Sequence, residues 1–185
     1  MERIRRVIET LEVFYRTEIS NLEKASFLMA ETLKSGNKII WCGNGGSAAQ
    51  AMHFSTELMA RYKETRNPLP SLALPADAVL LTATANDFGF EHAFSRQVEG
   101  LGKEGDLLVA ITTSGSSKNV LNAIKVAKSK KIKVILLTGE RGSEFEEEVD
   151  ILIKVPSVET PIIQECHEII GHILVEGIEK NLGGF

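Results

Sequence analysis

An α/β fold, with a parallel sheet covered by helices on both faces and preceded by N-terminal helices, is what this 185-residue chain predicts from three features. After Gly36, short and nearly unbroken apolar runs alternate with amphipathic segments, as parallel strands buried on both faces require. Two of those runs lead straight into loops of glycine or hydroxyl residues that open a helix. Ahead of the alternation, residues 1–36 carry helical periodicity alone.

In that first region Ile4, Val7, Ile8, Leu11, Phe14 and Tyr15 recur at helical spacing, and so do Leu22, Ala25, Met29 and Leu33. Ser20 and Glu23 form a capping-box pattern that restarts or continues the helix, so a helical pair is expected, closed by Gly36-Asn37. Lying outside the alternation, residues 1–36 are expected to pack on a neighbouring subunit as well as on their own core, with residues 37–185 as the main domain. Strands are expected at 38–42, 71–74, 107–111, 134–137 and 151–155. Helices are expected near 47–62, 77–85, 91–98, 117–129 and 143–148, with an exposed loop at 63–70 that holds two prolines. The last helix starts at Pro161, where proline suits a first turn, and ends before Gly183-Gly184.

Composition narrows the classes of function. An apolar share of 43% and a charged share of 25% are those of a soluble globular protein. A net charge of −4 gives no general attraction to nucleic acid or to an anionic membrane, so neither is expected as a partner. No apolar run reaches the length of a membrane span. The start, Met1-Glu2-Arg3-Ile4-Arg5-Arg6, lacks the apolar core of a signal peptide, and a cytoplasmic location is expected. Cys42 and Cys166 have no CxxC partner and read as buried, reduced thiols.

The chemistry sits in the loops. Gly43-Asn44-Gly45-Gly46-Ser47 follows the first strand and opens a helix; its glycines allow close approach of an anion, which the helix start favours. His53 and Glu57 follow at a spacing of four, which stacks an imidazole and a carboxylate on one helix face. A second loop, Thr112-Thr113-Ser114-Gly115-Ser116-Ser117, follows the third strand. Its hydroxyls and amides suit a phosphate without lysine or metal, although Ser and Thr also serve as ordinary helix caps. Both loops lie at carboxyl ends of parallel strands, where ligands of open α/β sheets collect. Gly43-x-Gly45-x-x-Ala48 also satisfies a relaxed dinucleotide fingerprint, but no acidic residue ends the second strand, where Ala73-Leu74-Pro75 stands.

Together the two loops resemble the sugar isomerase (SIS) domain. His53-Phe54-x-x-Glu57-Leu58, Asn86-Asp87-Phe88-Gly89, and Ile163-Gln164-Glu165 followed by His172 resemble, more narrowly, the phosphoheptose isomerase family over nearly the whole chain. The resemblance implies a three-layer α/β sandwich with a five-stranded parallel sheet, assembled as a homotetramer with active sites at subunit contacts. It implies that Asn44, Gly45, Gly46, Asn86 and Asp87 line the sugar site, and that Ser47, Thr112, Thr113, Ser114 and Ser117 hold the phosphate or nearby hydroxyls. Glu57 and Gln164 are implied at the substrate as well. Zinc, one ion per subunit, is implied on His53, Glu57, Gln164 and His172, with catalytic roles for Glu57 and His172. Pro161 departs from the pattern, because some members carry an acid three residues before the glutamine. His92 and His167 are assigned to structure or surface.

The implied reaction is the conversion of sedoheptulose 7-phosphate to D-glycero-D-manno-heptose 7-phosphate, for lipopolysaccharide or surface-glycan biosynthesis. Moving a carbonyl from C2 to C1 takes a proton from C1 and returns one to C2 through an enediol. A carboxylate whose pKa is raised by burial suits the base, which points to Glu57, while His172 or a metal serves the oxygens. Firm ligation of zinc by Glu57 competes with its role as base. Two alternatives are a SIS-family regulator that binds a sugar phosphate or a replication initiator protein without turnover, and an isomerase or lyase for another phosphosugar. An acid/base pair argues against the regulator. Gln164 and His172 lie eight apart on one expected helix, about 12 Å of rise. The site is therefore expected to be shared, with His172 from a second subunit.

Overall fold

The computed structural model describes residues 2–183; Gly184, part of the expected helix stop, lies outside them. The chain runs α1 (Glu2–Lys34), β1 (Ile39–Gly43), α2 (Gly46–Met59), β2 (Ser71–Ala73), α3 (Ala78–Phe88), α4 (Ser95–Leu101), β3 (Leu107–Thr112), α5 (Lys118–Ser129), β4 (Lys133–Gly139), β5 (Ile151–Val155) and α6 (Thr160–Leu182). Tight 3₁₀ turns occupy Leu74–Ala76, Phe90–His92 and Glu140–Glu148. The five strands form one sheet in the order β2-β1-β3-β4-β5, every pairing parallel. As expected, both faces are covered.

The alternation of side chains across each strand divides the core in two. Ile39 and Trp41 of β1, with Leu107, Val109 and Ile111 of β3, face a layer holding Met29 of α1, Phe54 and Leu58 of α2, and Ile170 and Leu174 of α6. Ile40, Cys42, Leu108 and Ala110 point the other way, onto Phe94, Val98 of α4, and Val120 and Ile124 of α5. Both cysteines are free and buried.

The expected N-terminal pair is instead one continuous helix. No Gly or Pro interrupts residues 2–34, and Ser20, exposed on the helix surface, is carried through as an interior residue at small cost. Only its second half is well covered: Leu22, Ala25, Met29 and Leu33 are buried, whereas Ile4, Ile8 and Tyr15 are at least half exposed. The expected helix at 91–98 splits into a 3₁₀ turn and α4, and that at 143–148 is 3₁₀ rather than α-helical. Asn86 and Asp87 belong to the last turn of α3 rather than to a loop.

The strand order positions the site. From β1 the chain passes outward to β2, then returns across β1 to β3, so the connections after β1 and β3 leave on opposite sides of the sheet. A crevice opens at such a reversal, at the carboxyl ends of the strands. The glycine loop and the hydroxyl loop flank it.

Candidate active site

The glycine loop is shaped by its own backbone. Gly45 has φ +55° at the position that caps α2, a conformation that side chains rarely adopt. The turn is tight enough that the amides of Ser47 and Ala48 donate back to the carbonyls of Asn44 and Gly45 at 3.0 and 3.1 Å. Ser47 is buried in the first turn of α2.

In the hydroxyl loop, Ser117 stands at the N-cap of α5, yet its side chain makes no capping bond to the helix. Its Oγ lies 3.1 Å from Thr112 Oγ1 instead. Ser114 Oγ accepts from both the amide and the hydroxyl of Ser116, at 3.2 and 3.0 Å. Thr113 lies between them, half-buried. Helix capping therefore does not account for Ser117, the residue best placed to do it.

Asn44 and Ser117 meet at one cleft of about 280 Å³, which Phe90, Glu91, Lys118 and Asn119 also line. Asn86 and Asp87 are exposed at the end of α3 and bond to each other at 2.8 Å, just before the turn that supplies Phe90 and Glu91.

A second group of residues forms where α2 and α6 run side by side. His53 Nε2 and His172 Nε2 approach the same oxygen, Glu57 Oε1, at 3.3 and 3.4 Å. One ligand atom from each of the three lies within 4.8 Å of the others. Glu57 is largely covered, with 13% of its side chain exposed, and its Oε2 is buried without a hydrogen-bond partner. Burial pushes the Glu57 carboxyl above the usual carboxylate range, against the pull of His172 and then His53, while Glu168 adds a further upward push.

These three residues come from one chain, so His172 reaches Glu57 without a second subunit. The expected difficulty with one helix is real, but Gln164 is the residue that departs. Its amide packs over Gly46, so close that a Cβ there would fall 2.5 Å from Nε2. Eight residues of α6, about 12 Å of rise, separate it from His172.

Sequence reasoning missed the residues that hold this group in place. Glu168 receives His53 Nδ1 at 2.7 Å and fixes the ring through its second nitrogen. Its signal was available, since Gln164, Glu168 and His172 repeat every four residues along one face of α6. Gln50 donates to the Gln164 carbonyl at 2.8 Å and to Glu168 Oε2 at 3.1 Å. Tyr62 stacks on His172 at 5.7 Å between ring centroids, and Phe54 meets the same ring edge-on at 5.9 Å. Arg66, from the 63–70 loop, donates to the carbonyls of Glu57 and Leu58 at 2.9 and 2.8 Å while pairing with buried Glu179 at 3.0 Å. It thereby closes the carboxyl end of α2, where carbonyls otherwise lack partners. Only tertiary structure brings Tyr62 and Arg66 here. His167 is wholly buried beside Thr138, and His92 is exposed, so neither joins the group.

Two imidazoles and a carboxylate are a donor set suited to zinc, which in catalytic centres takes three protein ligands and keeps a fourth position open. The same trio, with a raised carboxyl and an unpartnered oxygen, is equally equipped to move protons.

The family model of the SIS domain matches residues 4–139. The phosphoheptose isomerase of Aliarcobacter butzleri (strain RM4018) is 50% identical over 181 residues, 98% of this chain and 92% of that protein. Among solved structures, the phosphoheptose isomerase of Neisseria gonorrhoeae is 38% identical with a TM-score of 0.89, covering 96% of this chain and 95% of that one. That of Francisella tularensis is 36% identical with a TM-score of 0.92, covering 96% and 94%.

Proposed function

The chain belongs to the SIS domain family and, within it, with the phosphoheptose isomerases; on that premise we propose that it is an aldose-ketose isomerase converting sedoheptulose 7-phosphate to D-glycero-D-manno-heptose 7-phosphate. The observation that carries this reading is Glu57: a largely buried carboxylate with one oxygen approached by two imidazoles and the other unpartnered.

In this reading the unpartnered oxygen of Glu57 takes a proton from C1 of the ketose. The C–H electron pair becomes the C1–C2 double bond, and the C2 oxygen gains a proton, giving the enediol. Glu57 then returns its proton to C2 while the C1 hydroxyl gives one up, and the aldehyde forms. His172, beside Glu57 and steadied by Tyr62, is placed to carry the oxygen-bound protons. Thr112, Thr113, Ser114, Ser117 and Ser47 hold the phosphate, and Asn44, Gly45, Gly46, Asn86, Asp87 and Gln164 line the sugar. Hydroxyls and amides thus hold the anion by hydrogen bonds.

His53, Glu57 and His172 would hold zinc, with Gln164 left to the substrate side. Such an ion, when bound, polarises carbonyl and hydroxyl oxygens as a Lewis acid. The two imidazoles crowd Oε1 and leave Oε2, so ligand and base roles fall on different oxygens of one carboxylate. Zinc analysis of the protein should give about one ion per chain by the stoichiometry of a three-ligand site, and His53→Ala should lose it without unfolding.

The exposed Ile4, Ile8 and Tyr15 on α1, and Ile169 and Ile173 on α6, support assembly into a homotetramer. Among the described residues no helix is long and apolar enough to cross a membrane. We place the reaction in the cytoplasm, feeding heptose into lipopolysaccharide or a surface glycan. The test is incubation of the pure protein with sedoheptulose 7-phosphate, followed by NMR. Appearance of the aldose is expected; an unchanged ketose beside a bound sugar phosphate would favour the family's non-catalytic regulators.

A further inference from the structure

The two loops are joined by one pair of side chains. Val120 N donates to Asn119 Oδ1 at 3.0 Å, which fixes which end of the Asn119 amide is oxygen. Asn119 Nδ2 then donates to Asn44 Oδ1 at 2.8 Å, and Asn44 Nδ2 donates back to Asn119 Oδ1 at 2.8 Å. Asn119 is 3% exposed, at the first turn of α5, whereas Asn44 is half-buried in the glycine loop. Both line the cleft that Ser117 enters.

We propose that Asn119 is a positioning residue for substrate, acting through Asn44. The backbone bond to Val120 orients Asn119, and the reciprocal bonds orient Asn44 in turn. An amide carries two N–H donors, and the pair uses one of Asn44's. The other is therefore held in a set direction, and its orientation follows the start of α5. Without Asn119, the Asn44 amide can turn over and present an oxygen where a donor stood. The glycine loop and the hydroxyl loop are thereby coupled, so that the group recognising the sugar is registered against the group recognising the phosphate. This rests on the reading of the cleft as the sugar-phosphate site.

The test is a double-mutant cycle on binding of sedoheptulose 7-phosphate, measured by calorimetry for the intact chain, Asn44→Ala, Asn119→Ala and the double variant, with turnover recorded for each. Asn119→Ala should weaken binding roughly tenfold, the scale of one lost oriented hydrogen bond. In the Asn44→Ala background it should weaken binding less than about twofold, because its route of action is gone. Equal losses in both backgrounds, or no loss in either, would overturn the proposal. If Asn119→Ala does not fold, Asn119→Ser serves in its place, since it keeps a polar group at the helix start but is too short to bridge to Asn44. Coupled binding without any turnover would remove the isomerase reading and leave the positioning role standing. Turnover with equal losses would do the reverse, and no binding by the intact chain would overturn both.

Discussion

In the proposed reaction Glu57 would carry two demands that conflict in free solution, and its two oxygens, one approached by two imidazoles and one unpartnered, are placed to divide them. A carboxylate solvated on a helix surface is a weak base near neutral pH, whereas burial lifts its proton affinity toward the working range. The flanking imidazoles of His172 and His53 oppose that lift. Glu57→Gln preserves shape and removes the proton acceptor; turnover should fall at least about a hundredfold, with the melting temperature held or raised, in a steady-state assay paired with a thermal melt. Wild-type rates in a folded variant would remove Glu57 from the chemistry. The His53 and Glu57 pairing was legible in the sequence because a spacing of four on a helix has one geometric meaning. Glu57's burial was not, since it depends on α6, more than a hundred residues later.

Between the elements, the contact of α2 with α6 decides whether these residues meet. The helices run parallel, with Gly46 against Gln164, His53 against Glu168, and Glu57 against His172. Gly171 permits this closeness: a Cβ there would fall 1.9 Å from Phe54 Cζ, inside the ring that packs beneath both histidines. Gly171→Ala should therefore cost about 1–3 kcal/mol through overpacking, despite the better helix propensity of alanine. It should also lower turnover by moving Phe54, and with it the two imidazoles. A chemical-denaturation curve and a rate on the same preparation check both; a variant as stable and as active as the parent would show that the ring relaxes freely. Sequence spacing correctly separated Gln164 from His172 along α6. It did not place His172 beside Glu57 within one chain, because which helix lies alongside is a tertiary fact.

At the scale of the molecule, the strand order β2-β1-β3-β4-β5 explains why the two anion-type loops lie together: the reversal between β1 and β3 brings both loops to the same edge. The five strands were readable from their apolar runs, whereas the unity of α1 was not, because Ser20 and Glu23 mimic a helix start that packing overrides. The same sheet encloses His167, whose pKa burial lowers to about 4 from an ordinary 6.5. Its contribution to stability is complete above the unfolded value and is lost as pH falls, since only the unfolded chain takes up the proton at first. Denaturation midpoints should decline between about 6.5 and about 4, and His167→Gln should flatten that decline; an unchanged slope would assign it to other groups. The central claim, that the chain isomerises a ketose phosphate by carbon proton transfer through Glu57, is tested most directly by running the reaction in deuterium oxide. Glu57 retains a little exposure and adjoins His53, which is 43% exposed, so its proton has a route to solvent. The aldose should form with solvent deuterium on C2, and Glu57→Gln should abolish that incorporation. Aldose produced at full rate with no carbon-bound deuterium would contradict the claim, because the hydrogen would then have moved without passing through an exchangeable base.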